Sequence, residues 1–269
     1  MPDETAVPRA LTIAGSDSGG GAGIQADLKT FQALGVFGMT AITAVTVQNT
    51  KGVSGYVEVP ASTVGEQIRA VVTDIGVNAA KTGMLSSAPI IAEVAEAVSD
   101  TGLPNLVVDP VFVSKHGHPL LREDAIDALR TRLLPLARLV TPNLHEAAGL
   151  AGFPVATDQD MENAGRAILD LGPEAVLVKG GHREAEQATD LLVTSEGIQP
   201  FGVDRINTAH THGTGCVLSA AITSYLARGE ELLGAVANGK EFVTEAIRHA
   251  LQLGNGIGPV DPSWGLRRS

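Results

Sequence analysis

Short apolar runs rich in β-branched residues recur along this chain, each bounded by Gly, Pro or Asp and separated from the next by a longer amphipathic stretch. That alternation constrains the fold more than any other feature. The runs at 9–14, 39–47, 78–82, 106–111, 138–141 and 175–179 read as strands buried on both faces. The stretches at 23–34, 62–75, 88–98, 123–134 and 159–171 read as helices. In the second of them Val64, Ile68, Val71, Val72 and Ile75 fall on one face. Segments 191–193 and 200–203 look like a late, shorter antiparallel pair, and 215–228 and 230–253 are helical again. Repeated strand–helix units predict an α/β fold: a doubly wound, mostly parallel central sheet with helices on both faces. No linker, charge block or repeat divides the chain. The expectation is a tail over 1–9 and a single domain over 10–266.

Composition removes several function classes. The single cysteine cannot form an internal disulfide or build a Cys-rich metal site. A net charge of −11, with six Phe, two Tyr and one Trp, is a poor match to nucleic-acid backbones or stacked bases. No apolar run approaches the roughly 18 residues that cross a bilayer. The first eight residues lack the basic start and apolar stretch of a signal peptide. The expectation is a cytoplasmic protein with no nucleic-acid or membrane partner.

In a doubly wound sheet, ligands bind beyond the carboxyl ends of the strands. The residues just after each run therefore carry the functional information. After the first run comes Gly15-Ser16-Asp17-Ser18-Gly19-Gly20-Gly21-Ala22-Gly23. It fits neither the dinucleotide fingerprint nor the P-loop pattern. Five glycines in nine residues suit close backbone approach to a ligand better than a mere flexible turn, since each costs extra entropy on folding. A second block, His210-Thr211-His212-Gly213-Thr214-Gly215-Cys216, opens an apolar helical stretch. Small residues at a helix start leave amides unpaired at the positive end of its dipole, which makes an anion pocket. A plain helix cap over a buried thiol is the structural alternative. His212 beside that pocket is either a further polar donor or a solvent-facing side chain. The His-x-His pairs 116/118 and 210/212 raise a metal reading, but no strong third ligand type stands near them. Asn143 and Glu146 have capping-box spacing and are also oxygen donors of the kind hydrated magnesium prefers. Lys179, in Lys179-Gly180-Gly181-His182, is either a phosphate contact or an ordinary strand-end lysine.

Together these blocks resemble the ribokinase superfamily, and within it the hydroxymethylpyrimidine and phosphomethylpyrimidine kinases of thiamine synthesis. The resemblance runs from about Ala10 to Trp264. It is carried by 14–27 with its glycine loop, by Thr43-Ala44-Val45-Thr46-Val47-Gln48-Asn49-Thr50, Lys81-Thr82-Gly83-Met84, Val108-Asp109-Pro110-Val111, Thr141-Pro142-Asn143-Leu144-His145-Glu146-Ala147 and Gly213-Thr214-Gly215-Cys216.

The resemblance implies a ribokinase-like fold and ATP-dependent phosphorylation of 4-amino-5-hydroxymethyl-2-methylpyrimidine, first to its monophosphate and then to the diphosphate. It implies ATP as co-substrate, Mg²⁺ as cofactor and a homodimer. Gly15, Asp27, Gln48, Met84 and Val111 would line the ring site. The carboxamide of Gln48 offers the donor and acceptor that an aminopyrimidine edge needs. Lys179, Thr214 and Asn143 would meet ATP, and Asp109 and Glu146 would hold magnesium, partly through water. Gly213, Thr214 and Gly215 would stabilise charge on the moving phosphoryl with Lys179. Cys216, its thiol lowered by the helix N-terminus, would act as base. Pyridoxal or pyridoxine kinase activity on the same fold is the nearest alternative, and a non-catalytic vitamin-precursor binder the next. Residues 51–59 and 114–119 are plausible lids.

Overall fold

The computed structural model describes residues 7–113, 117, 120–121, 123–181 and 187–267. Nine strands form one sheet. In chain order the elements are β1 (Arg9–Ser16), α1 (Gly23–Ala33), β2 (Phe37–Asn49), β3 (Gly52–Glu58), α2 (Ala61–Asp74), β4 (Ala79–Thr82), α3 (Ala88–Thr101), β5 (Leu106–Val108), α4 (Glu123–Ala128), β6 (Leu139–Val140), α5 (Leu144–Ala151), α6 (Asp158–Leu169), β7 (Ala175–Val178), β8 (Gln187–Thr194), β9 (Gly197–Asp204), α7 (Thr214–Ala227) and α8 (Leu232–Arg248). The spatial order is β3-β2-β1-β4-β5-β6-β7-β8-β9. Strands β2 to β7 in that row pair in parallel, while β3 at one edge and β8 and β9 at the other pair antiparallel. The order reverses at β1, which has β2 on one side and β4 on the other, so a crevice opens beyond its carboxyl end.

The short strands read as continuous apolar runs because both their faces are covered. Leu11, Ile13, Val108, Val140, Val176 and Val178 pack one way, against α2, α3, α5 and α6. Ala10, Val107, Leu139 and Leu177 pack the other way, against α1, α7 and α8. The period-2 alternation of a strand thus divides its residues between two apolar cores.

The structure departs from the sequence expectations at two places. Residues 51–59, expected as a lid, are mostly β3, hydrogen-bonded to β2 from Ala44↔Glu58 to Asn49↔Gly52. The helix expected over 123–134 is regular only as far as Ala128; a π turn over Leu129–Leu133 and a 3₁₀ turn over Leu134–Leu136 follow. Pro135 accounts for the break, since it has no amide proton and its ring clashes with the preceding turn. The other expected lid, 114–119, falls largely outside the described residues, as do His116, His118 and His182.

Candidate functional site

The glycine loop after β1 is organised from within. The Asp17 carboxylate accepts from the amides of Gly19 at 2.8 Å, Gly21 at 3.1 Å and Ala22 at 2.9 Å. Burial pushes Asp17 upward, but the hydrogen bond and charge of His212 and the amides of Gly19 and Ala22 outweigh it and hold the group below the usual carboxylate range. Gln25 braces the loop from α1: its Oε1 accepts from Asp17 N at 2.9 Å and its Nε2 donates to Ser16 Oγ at 2.6 Å. These amides are therefore spent on Asp17, and the loop is a shaped wall rather than an open anion cradle.

Two register breaks shape the ring side. The β1–β2 pairing shifts between Ala14 and Ser16, at Gly15, and the β2–β3 pairing shifts between Val47 and Gln48. Irregular pairing of this kind re-aims side chains and is common beside active sites. A Cβ on Gly15 would lie 3.2 Å from Met84 Sδ, so these two expected ring-site residues are neighbours. Met84 is buried with Ala44 and Leu120, and Tyr56 and Val111 pack against them, in a small cluster separate from both main cores. Tyr56, Leu120 and Ala44 were not singled out by sequence. Their signal is tertiary: Ala44 and Tyr56 come from the β2–β3 hairpin and Leu120 from far along the chain.

Asp27 is placed differently from its expectation. It is fully buried beneath the loop, with Oδ1 2.9 Å from Lys81 Nζ and Oδ2 accepting from Thr12 Oγ1 at 2.6 Å. Both oxygens are committed, so Asp27 supports the site from below and does not line it. Lys81 is equally sealed, and the adjacent Asp27 charge keeps it protonated against the cost of burial.

The phosphate side forms where β5, β6 and β7 end beneath the head of α7. Gly213 has φ +82°, and a Cβ there would lie 1.9 Å from the Gly21 carbonyl oxygen, so the two loops touch at a position only glycine can occupy. No side chain caps α7; the Thr214 hydroxyl turns back to Thr211 O at 2.8 Å. The first amides of a helix have no intrahelical acceptors; here Thr214 N makes a long contact of 3.4 Å back to Thr211 O. A Cβ on Gly215 would lie 3.5 Å from Lys179 Nζ and 3.7 Å from Asp109 Oδ2. Lys179 Nζ in turn donates to Asp109 Oδ1 at 3.1 Å. Thr141 Oγ1 reaches Asp109 Oδ1 at 3.2 Å and Ser219 Oγ reaches Oδ2 at 3.3 Å. Burial raises Asp109, but the Lys179 and Lys81 charges outweigh it and hold the group below its ordinary range.

Asn143 and Glu146 form the expected capping box at the start of α5. Glu146 N donates to Asn143 Oδ1 at 3.0 Å and Asn143 N donates to Glu146 Oε2 at 2.8 Å. Burial pushes Glu146 up to about 7 against the opposing Lys179 charge, and Asp109 adds to the rise. The cap does not exclude a ligand role, since Glu146 shares its electrostatic surroundings with Lys179 and Asp109.

Cys216 departs from its expectation. Burial pushes its thiol up to about 12, with the Asp27 and Asp109 charges adding to the rise and Lys81 opposing it. Desolvation of a thiolate here exceeds what the helix dipole returns. Of the 210/212 pair, His210 Nδ1 accepts from Gly258 N at 3.0 Å, while His212 turns to Asp17. Among the described residues no cluster of three or more His, Cys, Asp or Glu is poised to hold a metal ion.

The arrangement is thus an apolar ring wall beside an uncapped helix head with a lysine and two carboxylates. Comparison with known proteins agrees. The family model described as phosphomethylpyrimidine kinase matches residues 17–261. A hydroxymethylpyrimidine/phosphomethylpyrimidine kinase of Streptomyces coelicolor is 52% identical over 259 residues, covering 96% of each chain. One of Mycobacterium leprae is 51% identical, over 97% of this chain and 96% of that one. Among solved structures, an ADP complex of Bacillus subtilis pyridoxal kinase superposes with a TM-score of 0.91 at 41% identity, covering 98% of this chain and 100% of that chain. A phosphomethylpyrimidine kinase from Clostridium difficile superposes with a TM-score of 0.80 at 46% identity, over 90% and 100% of the two chains. With full-length matches at this identity and the ring wall and helix head both in place, the chain belongs to the phosphomethylpyrimidine kinase family.

Proposed function

We propose that this protein transfers the γ-phosphoryl of ATP to the hydroxymethyl group of 4-amino-5-hydroxymethyl-2-methylpyrimidine, and then to the resulting monophosphate, in thiamine biosynthesis. The observation that carries this reading is the convergence of Lys179, Asp109 and the uncapped head of α7 beside the Met84 cluster. The ring lies between Gly15 and Met84 on one side and Gln48 on the other, with Val111 in the apolar wall. Lys179 and Thr214 meet phosphate oxygens, with Asn143 near them. The amides of Gly213, Thr214 and Gly215 meet charge developing on the moving phosphoryl, at positions fixed before reaction.

The two carboxylates fit a magnesium ion. They are hard oxygen donors, few in number, as expected where waters and substrate phosphates complete the shell. Lys179 and Thr141 already occupy Asp109 Oδ1, so Asp109 and Glu146 would hold the ion partly through water. When bound, magnesium neutralises charge on the phosphate oxygens. Cys216 stands in the first turn of α7 as a neutral thiol across the working pH range. Phosphoryl transfer through a loose transition state demands little prior deprotonation of the acceptor, so the hydroxyl proton leaves late, to an oxygen of the transferred phosphoryl group.

A cytoplasmic homodimer completes the reading. Val45, Val47 and Val57 expose 52%, 64% and 74% of their surface along the β2–β3 hairpin at the sheet edge. An apolar patch on an edge is the kind of surface a second copy covers.

The test is a product assay with the hydroxymethylpyrimidine and Mg-ATP that separates mono- from diphosphate. Diphosphate is expected. Monophosphate alone removes the second step from the reading. Turnover with pyridoxal but not with the pyrimidine transfers the assignment to a vitamin B6 kinase, the activity of the solved Bacillus subtilis neighbour. No turnover with either leaves a binder.

A further inference from the structure

His212 joins the two halves of the site. It precedes Gly213 directly. Its N–H donates to Gly258 O at 3.1 Å and its carbonyl accepts from Val260 N at 3.0 Å, so the C-terminal segment holds it from behind. Its buried ring reaches the other way, into the glycine loop. There Nε2 lies 2.9 Å from Asp17 Oδ2 and 3.4 Å from the amide nitrogen of Gln48.

The protons around this ring can be counted. Asp17 is an acceptor-only carboxylate that already takes amide bonds from Gly19, Gly21 and Ala22. Its 2.9 Å contact therefore needs a proton on His212 Nε2. That proton makes Nε2 a donor, and an NH₂ group cannot face a donor. Thr46 supplies a second constraint. Its Oγ1 lies 2.8 Å from Ser16 O and 3.2 Å from Gln48 Oε1. A hydroxyl has one proton, and a backbone carbonyl only accepts, so the proton goes to Ser16 O. Thr46 Oγ1 is then an acceptor toward Gln48 and needs the amide's NH₂, not its oxygen. One half-turn of the Gln48 amide, which leaves its shape unchanged, satisfies both constraints. The carbonyl then accepts from His212 Nε2–H, shared with Asp17, and the NH₂ donates to Thr46.

We propose that His212 is a positioning residue that determines ring specificity, by fixing the Gln48 amide with its carbonyl toward His212 and its NH₂ toward Thr46. One N–H and one carbonyl lone pair of Gln48 remain for a ligand, in a set order along the amide. That order suits a ring edge carrying an exocyclic amine next to a ring nitrogen, and it leaves the N–H unpaired against an edge with no acceptor beside its donor. The inference rests on the reading in which Gln48 meets the ring.

The test uses His212→Met, which fills similar space without a donor, and His212→Gln, which keeps an N–H at similar reach. Loss of one hydrogen-bonded orientation is worth about tenfold in binding. His212→Met should raise KM for the hydroxymethylpyrimidine about tenfold, leave KM for ATP near its starting value, and narrow the kcat/KM preference for the pyrimidine over pyridoxal. His212→Gln should restore most of that preference. In ¹⁵N-histidine-labelled wild-type protein, long-range proton–nitrogen correlations should show Nε2 protonated. A bare Nε2 overturns the proposal whatever the variants do. So does a His212→Met enzyme whose KM values for both substrates rise alike, or whose ring preference is unchanged. Should His212→Met not fold, failure of His212→Gln to keep the preference overturns the proposal. Gln48→Ala separates the two readings: an unchanged ring KM there defeats the placement of the ring, whereas a raised one with His212→Met unaffected defeats the role of His212 alone.

Discussion

The two glycine loops look alike in sequence and use their amides in opposite ways. Between Gly15 and Gly23, three N–H groups are consumed by Asp17, and the loop becomes a rigid wall. At Gly213–Cys216 no described side chain caps the helix; Thr214 N reaches Thr211 O at 3.4 Å, and no carboxylate fills the turn. Glycine content alone does not separate a wall from an anion receptor. What separates them is whether a carboxylate sits inside the turn. Each loop also lies over a lysine–aspartate pair, and these differ in the same sense. Lys81 and Asp27 are sealed at 0% exposure each, while Lys179 keeps 14% exposure beside Asp109 at 3%. One pair is sealed inside the fold, and the other keeps its lysine partly exposed near the head of α7.

The sharpest way to break this comparison is to remove each lysine. Lys81→Met leaves the Asp27 charge buried without its partner and should cost about 3–5 kcal/mol of stability in urea unfolding. The double variant Lys81→Met/Asp27→Leu should recover most of that loss, because a buried pair is often replaceable by apolar groups. A double variant no more stable than the single one would mean that the pair does more than neutralise itself.

Lys179→Met should act mainly on turnover. Losing a donor to the transferring phosphoryl costs about 10²–10³-fold in kcat in comparable sites. Stability should fall less than for Lys81→Met, since Asp109 keeps its bond from Thr141 and the stabilising charge of Lys81. If Lys179→Met unfolds the protein and Lys81→Met merely slows it, the assignment of the two pairs is reversed.

The fold was legible because buried strands and amphipathic helices write different periods into the chain. Thus β1, β4, β5, β6 and β7 were found from apolar runs alone. Strand β3 was missed because it is an edge strand with Gly52, Ser54 and Gly55 and several exposed positions, so no apolar run marks it. The site was legible where chemistry is local, as in Asn143 and Glu146, three residues apart on one helix start. It was illegible where the outcome depends on burial. The sequence of Asp27 does not say that Lys81 will lie against it, nor that desolvation at Cys216 will exceed the pull of the helix dipole. His212 illustrates both: its position beside the pocket is readable, but its partners Asp17 and Gln48 lie 195 and 164 residues away.

A pH series probes the open pair further. Glu146 titrates near 7 in the folded protein, against an ordinary value near 4.5. A raised carboxyl contributes stability that is fully present below about 4.5 and is lost as pH rises through about 7. Glu146→Gln does not titrate. In nucleotide-free protein, its melting temperature relative to wild type should therefore climb between those values and level off above them. A constant difference across the series would mean that the Lys179 charge offsets the burial of Glu146 completely.

The smallest effect separates backbone strain from crowding within the wall loop. Gly20 has φ +75°, and a Cβ there would meet only Lys29 Nζ, at 3.3 Å. That atom is the far end of a flexible side chain, which donates to the Gly20 carbonyl at 2.6 Å and can shift by a few tenths of an ångström, so Gly20→Ala costs mainly conformation. The left-handed region costs a non-glycine residue about 1–2 kcal/mol, and the variant should lose about that much in denaturant unfolding. At Gly21 the backbone is ordinary, but a Cβ would lie 2.5 Å from His212 Cδ2 and 2.9 Å from Pro259 Cβ. Gly21→Ala must push His212 off Asp17 or displace the C-terminal segment, so it should cost more than Gly20→Ala and raise the KM for the ring as well. Equal losses at the two positions would show that the loop yields as easily around His212 as in open space, and the wall would then be softer than its hydrogen bonds to Asp17 imply.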